Sequence, residues 1–172
     1  MVPHLTTALT GPLLDIEKRA LDAMPAIEHW FRSQWQENTV PFYCSVDLRN
    51  AGFKLAPVDT NLYPGGFNNL NPHFLPLCVM AAQSAVEKVC PEAQRFLLIP
   101  ENHTRNMFYL QNVAALRYIL RQAGLQVRIG TLIPEITAPT TIDLPNGEQL
   151  ILEPLIREGR RVKLEGFDPC AI

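Results

Sequence analysis

The chain has 172 residues, of which 47% are hydrophobic and 19% charged, and its formal net charge is −2. These values are typical of a globular protein of domain size and exclude a disordered chain. The near-neutral charge argues against a nucleic-acid-binding protein. The sequence has neither an apolar run long enough to span a membrane nor the layout of a signal peptide. We therefore expect a cytoplasmic location.

Apolar residues at steps of three or four predict an amphipathic helix over residues 12–36, with Met24, Ile27 and Phe31 on its apolar face. Pro25 is expected to kink this helix or to split it in two. Residues 42–48 form a short apolar run that predicts a buried strand. Residues 53–58 predict a second short strand that returns along the first.

The middle of the chain predicts a parallel βαβ unit. Helix, strand, helix and strand follow one another over residues 73–89, 95–99, 104–123 and 126–130. Past Pro139, an alternating pattern around Asn146-Gly147 predicts a β-hairpin on a type I′ turn. A further strand-like stretch lies at 158–167. The sequence therefore predicts an α/β fold: a Rossmann-like layer domain with parallel strands and a hairpin-rich C-terminal part.

A polar stretch begins at the end of the first predicted strand and carries acids, bases and amides between glycines and prolines. Its candidate binding residues are Asp47, Arg49, Lys54, Asp59, Asn61, Asn68 and Asn69. Arg49 and Lys54 could hold carboxylates or a phosphate, and Asp47 or Asp59 could hold an ammonium group. In the alternative interpretation, Asp47 pairs with Arg49 and Lys54 with Asp59, while the asparagines satisfy turns.

A second polar loop follows the strand at 95–99. Its candidates are Glu101, His103, Arg105 and Asn106. Backbone amides at a helix start, together with Arg105, suit an anion, and Glu101 or His103 could act as acid, base or orienting group. The alternative is helix capping by Asn102 or Thr104. Because parallel strands end at one edge of a sheet, we expect both polar loops to meet there.

No cluster of metal ligands is predicted. The four cysteines and four histidines are scattered, without CxxC pairs or zinc-ligand spacing. Trp30, Phe31 and Trp35 are interpreted as core or partner-surface residues rather than as a ligand platform.

Two long strings, SVDLRNAGFKLAPVDTNLYPGGFNNL and LLIPENHTRNMFYLQNV, resemble the proteobacterial glutamate–cysteine ligase family. The resemblance runs through the whole chain. It implies ATP-dependent joining of the L-glutamate γ-carboxyl to the L-cysteine amine, the first step of glutathione synthesis. It also implies a fold similar to ATP-grasp ligases such as glutathione synthetase, of which this chain would hold the pre-ATP-grasp-type domain.

This chain is less than half the length usual in that family, and it shows no phosphate loop or magnesium-ligand spacing. We therefore expect a substrate-side domain over residues 1–138 and a β-rich extension over 139–172, the start of an ATP-binding region. ATP and Mg²⁺ are expected as cofactors of the full-length family, and L-glutamate and L-cysteine as its small-molecule partners. The 172-residue chain alone is expected to be inactive.

Two other function classes stay open at this point. One is a non-catalytic module that binds a small acid or a γ-glutamyl peptide. The other is a structural remnant whose exposed apolar surface favours self-association.

Overall fold

A computed structural model describes residues 12–39, 41–51, 55–62, 65–102 and 106–172. The chain divides into two compact units, residues 1–63 and 64–172. The boundary predicted at 138/139 stays a prediction.

The first unit begins with two helices, α1 (Pro12–Asp22) and α2 (Met24–Glu37). The predicted break is confirmed: Ala23 separates the helices, and Pro25 lies in the first turn of α2, where its missing N–H costs no helical hydrogen bond. The predicted apolar face is not buried in α2. None of its residues is buried, and Met24, Ile27 and Phe31 are all exposed.

The aromatic residues of α2 form an exposed group. Trp30 and Phe31 make an edge-to-face pair with ring centroids 5.0 Å apart, and both are more than half exposed, as is Trp35. Of the two interpretations of these residues, core packing does not hold, and a surface for a partner stays a prediction.

Two strands complete the first unit, β1 (Ser45–Asn50) and β2 (Leu55–Asn61). They pair antiparallel, as expected for a second strand that returns along the first. The register shifts between Asp47 and Leu48, which leaves Val58 as an extra residue on β2. The predicted burial of this strand is wrong, since no residue of β1 is buried. Its implied place in the parallel sheet is also wrong, because its ladder joins β2 in a separate two-stranded sheet.

The second unit contains the predicted βαβ unit. Helix α3 (Leu75–Val89) precedes β3 (Arg95–Leu98), α4 (Met107–Gln122) and β4 (Gln126–Thr131). Strands β3 and β4 are parallel, and α4 connects them. This confirms the predicted order and pairing.

A four-stranded sheet in the order β3-β4-β6-β5 forms the centre of this unit, with β5 (Thr140–Asp143) and β6 (Gln149–Pro154) as the added strands. Strand β6 is parallel to β4, whereas β5 is antiparallel to β6. One core cluster joins α4 to the sheet through buried apolar residues: Leu110, Val113, Ala114, Ile129, Leu144, Leu150 and Leu152.

The β5–β6 hairpin is confirmed, but its predicted type I′ turn is wrong. A type I′ turn needs positive φ at both central residues, and only Gly147, at φ +83°, has it here. Pro145 fixes a negative φ, so Leu144–Gly147 forms a turn closed by the Gly147 N–H to Leu144 C=O bond at 2.9 Å. Glu148 C=O then accepts from Leu144 N–H at 2.8 Å, as in a turn followed by a glycine bulge.

The predicted stretch at 158–167 forms a second small hairpin, β7 (Ile156–Glu158) and β8 (Arg161–Lys163). The chain after it packs on the sheet through Leu164 and Phe167, in a cluster with Leu97. Arg128 ties this segment down: its guanidinium donates to Glu153 and to the Glu165 carbonyl, and it lies 5.2 Å from the Phe167 ring centroid.

Taken together, the helices and mixed sheets confirm the α/β class. Within the residue ranges given above, no helix is both long and apolar enough to cross a membrane.

Candidate functional site

The strand ladder of the first unit places the predicted polar side chains on one face. Asp47 pairs with Asp59, and Ser45 pairs with Asn61. Directly paired residues of antiparallel strands share a face, with Cβ atoms roughly 5 Å apart. Arg49 lies two residues along β1 from Asp47 and therefore on the same face. The ladder thus joins two carboxylates, a guanidinium and an amide.

Among these side chains, Asp59 forms hydrogen bonds with its neighbours in the chain. Asp59 accepts from the Thr60 N–H at 2.9 Å and from the Asn61 amide at 3.3 Å. Asn61 therefore supports Asp59. The alternative Asp47–Arg49 ion pair is not formed, as no salt bridge between described residues includes either side chain.

Three of the predicted site residues, Lys54, His103 and Arg105, lie outside the described residues. Their predicted roles stay predictions, as does the alternative Lys54–Asp59 pair.

In the second unit, the predicted loop residue Asn106 caps α4. Its Oδ1 accepts the Tyr109 N–H at 3.1 Å, which satisfies one of the amides that a helix start leaves without an intrahelical partner. The helix begins at Met107 rather than at 104, so the cap is Asn106 and not Asn102 or Thr104. Of the two interpretations of this loop, capping is observed for Asn106.

Tyr109 connects the helix to the loop before it. Its hydroxyl oxygen accepts the Glu101 N–H at 2.9 Å, eight residues earlier in the chain. Burial of the phenol raises the pKa of Tyr109, the Glu101 N–H bond opposes that rise, and the Glu101 carboxylate adds to it. The neutral phenol is therefore the form that holds the loop.

The predicted residues Asn68 and Asn69 lie in a 3₁₀ turn, Phe67–Asn69, and both are exposed. The turn packs on α4, and its first N–H, that of Phe67, donates to Oδ1 of Asn112 at 2.8 Å. Asn112 is only 3% exposed. Sequence reasoning missed Asn112; the signal available was an amide residue on a helix face otherwise made of apolar residues.

The predicted site residues therefore fall in both units, and each group is described within its own unit. Asp47, Arg49, Asp59 and Asn61 share one face of the β1–β2 ladder, whereas Glu101 and Asn106 each form a hydrogen bond with Tyr109 in the first turn of α4. Asn68 and Asn69 sit on the turn that α4 holds. The expectation that a single parallel-sheet edge gathers both loops is wrong, because β1 and β2 form their own sheet.

Metal-ligating side chains do not converge in this part of the protein. Across the residues that the structure describes, no group of three or more His, Cys, Asp or Glu side chains could hold a metal ion. The described residues of the candidate site suit an organic ligand carrying an ammonium group and a carboxylate, because acids, an arginine and amides offer partners for both.

Comparison with known proteins gives two matches. The sequence profile of the glutamate–cysteine ligase family matches residues 17–172. A crystal structure from Methylobacillus flagellatus KT, provisionally named a gamma-glutamylcysteine synthetase, is 72% identical in sequence with a TM-score of 0.83. The match covers 100% of this chain and 41% of that one, so this chain spans about two fifths of the length of its relative. No curated protein matches it significantly.

Proposed function

This chain belongs to the glutamate–cysteine ligase family, and we propose that it forms the substrate-binding part of such a ligase. The reaction joins the L-glutamate γ-carboxyl to the L-cysteine amine with ATP, the first step of glutathione biosynthesis. The main support for the proposal is the 72% sequence identity, over the whole chain, to the Methylobacillus flagellatus KT protein that is provisionally named a gamma-glutamylcysteine synthetase.

The β1–β2 face supplies groups that match glutamate. Arg49 would bind a carboxylate with its planar fork, and the Asp47–Asp59 pair would accept the α-ammonium group. Two carboxylates placed opposite each other repel, so a cation between them is stabilised by both. Arg49 and Asp47 are two residues apart, roughly 7 Å along a strand, which suits a ligand that carries both charges.

The described candidates of the second unit supply three side-chain amides and one carboxylate, that of Glu101. Asn68 and Asn69 offer both donors and acceptors on an exposed turn. Glu101 and Asn106 lie at the start of α4, where backbone N–H groups favour a carboxylate or phosphate group. These residues would orient the amino acids while the γ-carboxylate is activated as an acyl phosphate and the cysteine amine displaces the phosphate.

ATP and Mg²⁺ belong to the proposal for the whole ligase. Since no triad of metal ligands is found among the described side chains, these residues do not by themselves fit a magnesium site. The finer fold proposal is a Rossmann-like, pre-ATP-grasp-type domain, which the parallel β3-β4-β6 strands support. A cytoplasmic location is proposed with it.

Two measurements on the same sample test the proposal. L-Glutamate should bind to the purified chain, and mixtures of L-glutamate, L-cysteine and Mg-ATP should release no ADP. ADP release that requires both amino acids would show that these residues hold the complete ligase. If the folded chain binds neither amino acid, the substrate-binding role is refuted.

A further inference from the structure

Helix α4 has one polar residue in its buried set. Leu110, Val113, Ala114, Leu116, Ile119 and Leu120 are apolar, and Asn112 lies among them at 3% exposure. A buried carboxamide is destabilising unless its donors and acceptors find partners. The hydrogen-bond partner of the Asn112 side-chain oxygen is therefore the contact that stabilises this buried position.

That contact is the backbone of a polar turn. The Asn112 Oδ1 atom accepts the Phe67 N–H at 2.8 Å, between residues 45 positions apart in the chain. Gly66, which precedes the turn, has φ +76°, in the left-handed region that glycine favours. Its carbonyl accepts the Asn69 N–H at 2.9 Å, so the turn is closed on itself and fixed to α4.

The same helix also holds the second polar loop. Tyr109 and Asn112 are three residues apart and therefore neighbours on one face of α4. Tyr109 accepts the Glu101 N–H, and Asn112 accepts the Phe67 N–H. Two polar segments that are distant in sequence thus have their backbones anchored to one row of α4.

We propose that Asn112 is a positioning residue for substrate binding. It acts through the Phe67 N–H, which fixes the turn so that Asn68 and Asn69 present their side-chain amides to the amino-acid substrate. The inference rests on the proposed function for the identity of that substrate. The contact between Asn112 and the turn is independent of it.

The test compares two buried substitutions on one helix. Asn112→Leu keeps a side chain branched at Cγ, though a larger one, and removes the acceptor. Ile119→Val perturbs the core of α4 at a residue with no hydrogen bond to the turn. Binding of L-glutamate is measured by calorimetry, and exchange of the Phe67 amide proton by NMR. Asn112→Ala serves as a second variant if leucine prevents folding.

We expect Asn112→Leu to speed Phe67 exchange and to weaken L-glutamate binding by about tenfold or more, since small misplacements of binding groups have large effects. Ile119→Val should leave the binding constant within about twofold, because distant sites act independently. Equal weakening by both variants would reduce Asn112 to a structural residue and overturn the proposal. Unchanged binding in Asn112→Leu would overturn it as well.

The failure of the proposed function has a different signature. If the unaltered chain does not bind L-glutamate, the substrate role of Asn112 is refuted along with the proposed function. The exchange rate of the Phe67 amide then decides alone whether Asn112 holds the turn.

Discussion

Asp47 of β1 lies directly opposite Asp59 of β2 in an antiparallel ladder. Like charges in this relationship destabilise a strand pair. Asp59 is supported by the Thr60 N–H and the Asn61 amide, whereas Asp47 forms no ion pair with another described residue. A ligand ammonium group between the two carboxylates would relieve this repulsion. The same pair that would favour ligand binding therefore lowers the stability of the unliganded strand pair.

Replacing Asp47 with Asn should therefore stabilise the first unit and weaken its binding of L-glutamate. Removing the repulsion between paired acids is worth about 0.2–1 kcal/mol, and the gain should shrink at high salt. Urea unfolding at low and high salt measures the first effect, and calorimetry the second. A less stable Asp47→Asn variant with unchanged binding would show that the two carboxylates do not act as a pair.

Arg49 is expected to bind a glutamate carboxylate. Arg49→Ala should weaken binding by about ten- to a hundredfold, since a hydrogen bond to a charged group is worth about 1.5–3 kcal/mol. Arg49→Lys should bind with intermediate affinity because it keeps the charge and loses the fork. Arg160→Ala, at an exposed position outside the candidate set, is the matched control. Equal affinities in wild type and Arg49→Ala, with intact folding, would remove Arg49 from the site.

The Arg128–Glu153 ion pair should contribute strongly to stability. Glu153 is 7% exposed, and its carboxylate takes two donors of the Arg128 guanidinium. Glu153→Gln leaves a charge partly buried without its partner, so we expect a loss of about 3 kcal/mol in unfolding free energy.

The matched control for that pair is Asp168→Asn. It breaks the exposed Arg161–Asp168 pair, whose charged atoms are 3.6 Å apart, and should change stability by less than about 1 kcal/mol. Similar losses in both variants would mean that burial of the Arg128–Glu153 pair does not matter.

Gly130 fills a position on β4 that has no room for a side chain. A Cβ atom there would overlap the Leu155 side chain and lie 3.2 Å from Leu97 Cδ1. Gly130→Ala should destabilise the second unit by about 1–3 kcal/mol through overpacking. The same substitution in a Leu155→Ala background should cost much less, and additive effects in this double-mutant cycle would refute the packing explanation.

Stability should fall at alkaline pH through Tyr109. Burial raises the pKa of Tyr109 above its ordinary value, so folding favours the neutral phenol. This contribution is complete below the unfolded-state pKa of roughly 10 and is lost as the pH rises through the higher folded-state value. The urea midpoint is measured from about pH 8 to about pH 11.

Tyr109→Phe should flatten the alkaline decline, whereas Tyr118→Phe, at an exposed position of the same helix, should leave it in place. A decline that is equally steep in the Tyr109→Phe variant would assign the effect to other groups.

The helices and strands were predicted well because residues close together in the sequence determine them. Proline breaks, 3.6-residue periodicity and short apolar runs identified α1 to α4 and both strands around α4. The hairpin at β5–β6 was also predicted, but its predicted turn type was wrong. Pro145 lies inside the turn that Leu144 and Gly147 close, and its ring requires a negative φ there. Propensities at a turn compete, and the rigid proline ring decided the outcome.

Long-range relationships were not accessible in the same way. The sequence predicts the first strand and the strand that returns along it, but it does not show which sheet they join. A place for β1 in the parallel sheet was expected, and β1 does not join that sheet. Similarly, the hydrogen bond from Phe67 to Asn112 spans 45 residues. The sequence shows a polar residue on an apolar helix face, but only the packed structure shows which backbone N–H group donates to it.

Calorimetric titration of the purified chain with L-glutamate, L-cysteine, γ-glutamylcysteine and Mg-ATP tests whether these residues bind the substrates of the ligase reaction. L-Aspartate, one methylene shorter than glutamate, is the matched control ligand. We expect L-glutamate or the dipeptide to bind without ATP, and more tightly than L-aspartate. A chain shown to be folded that binds none of these compounds would contradict it.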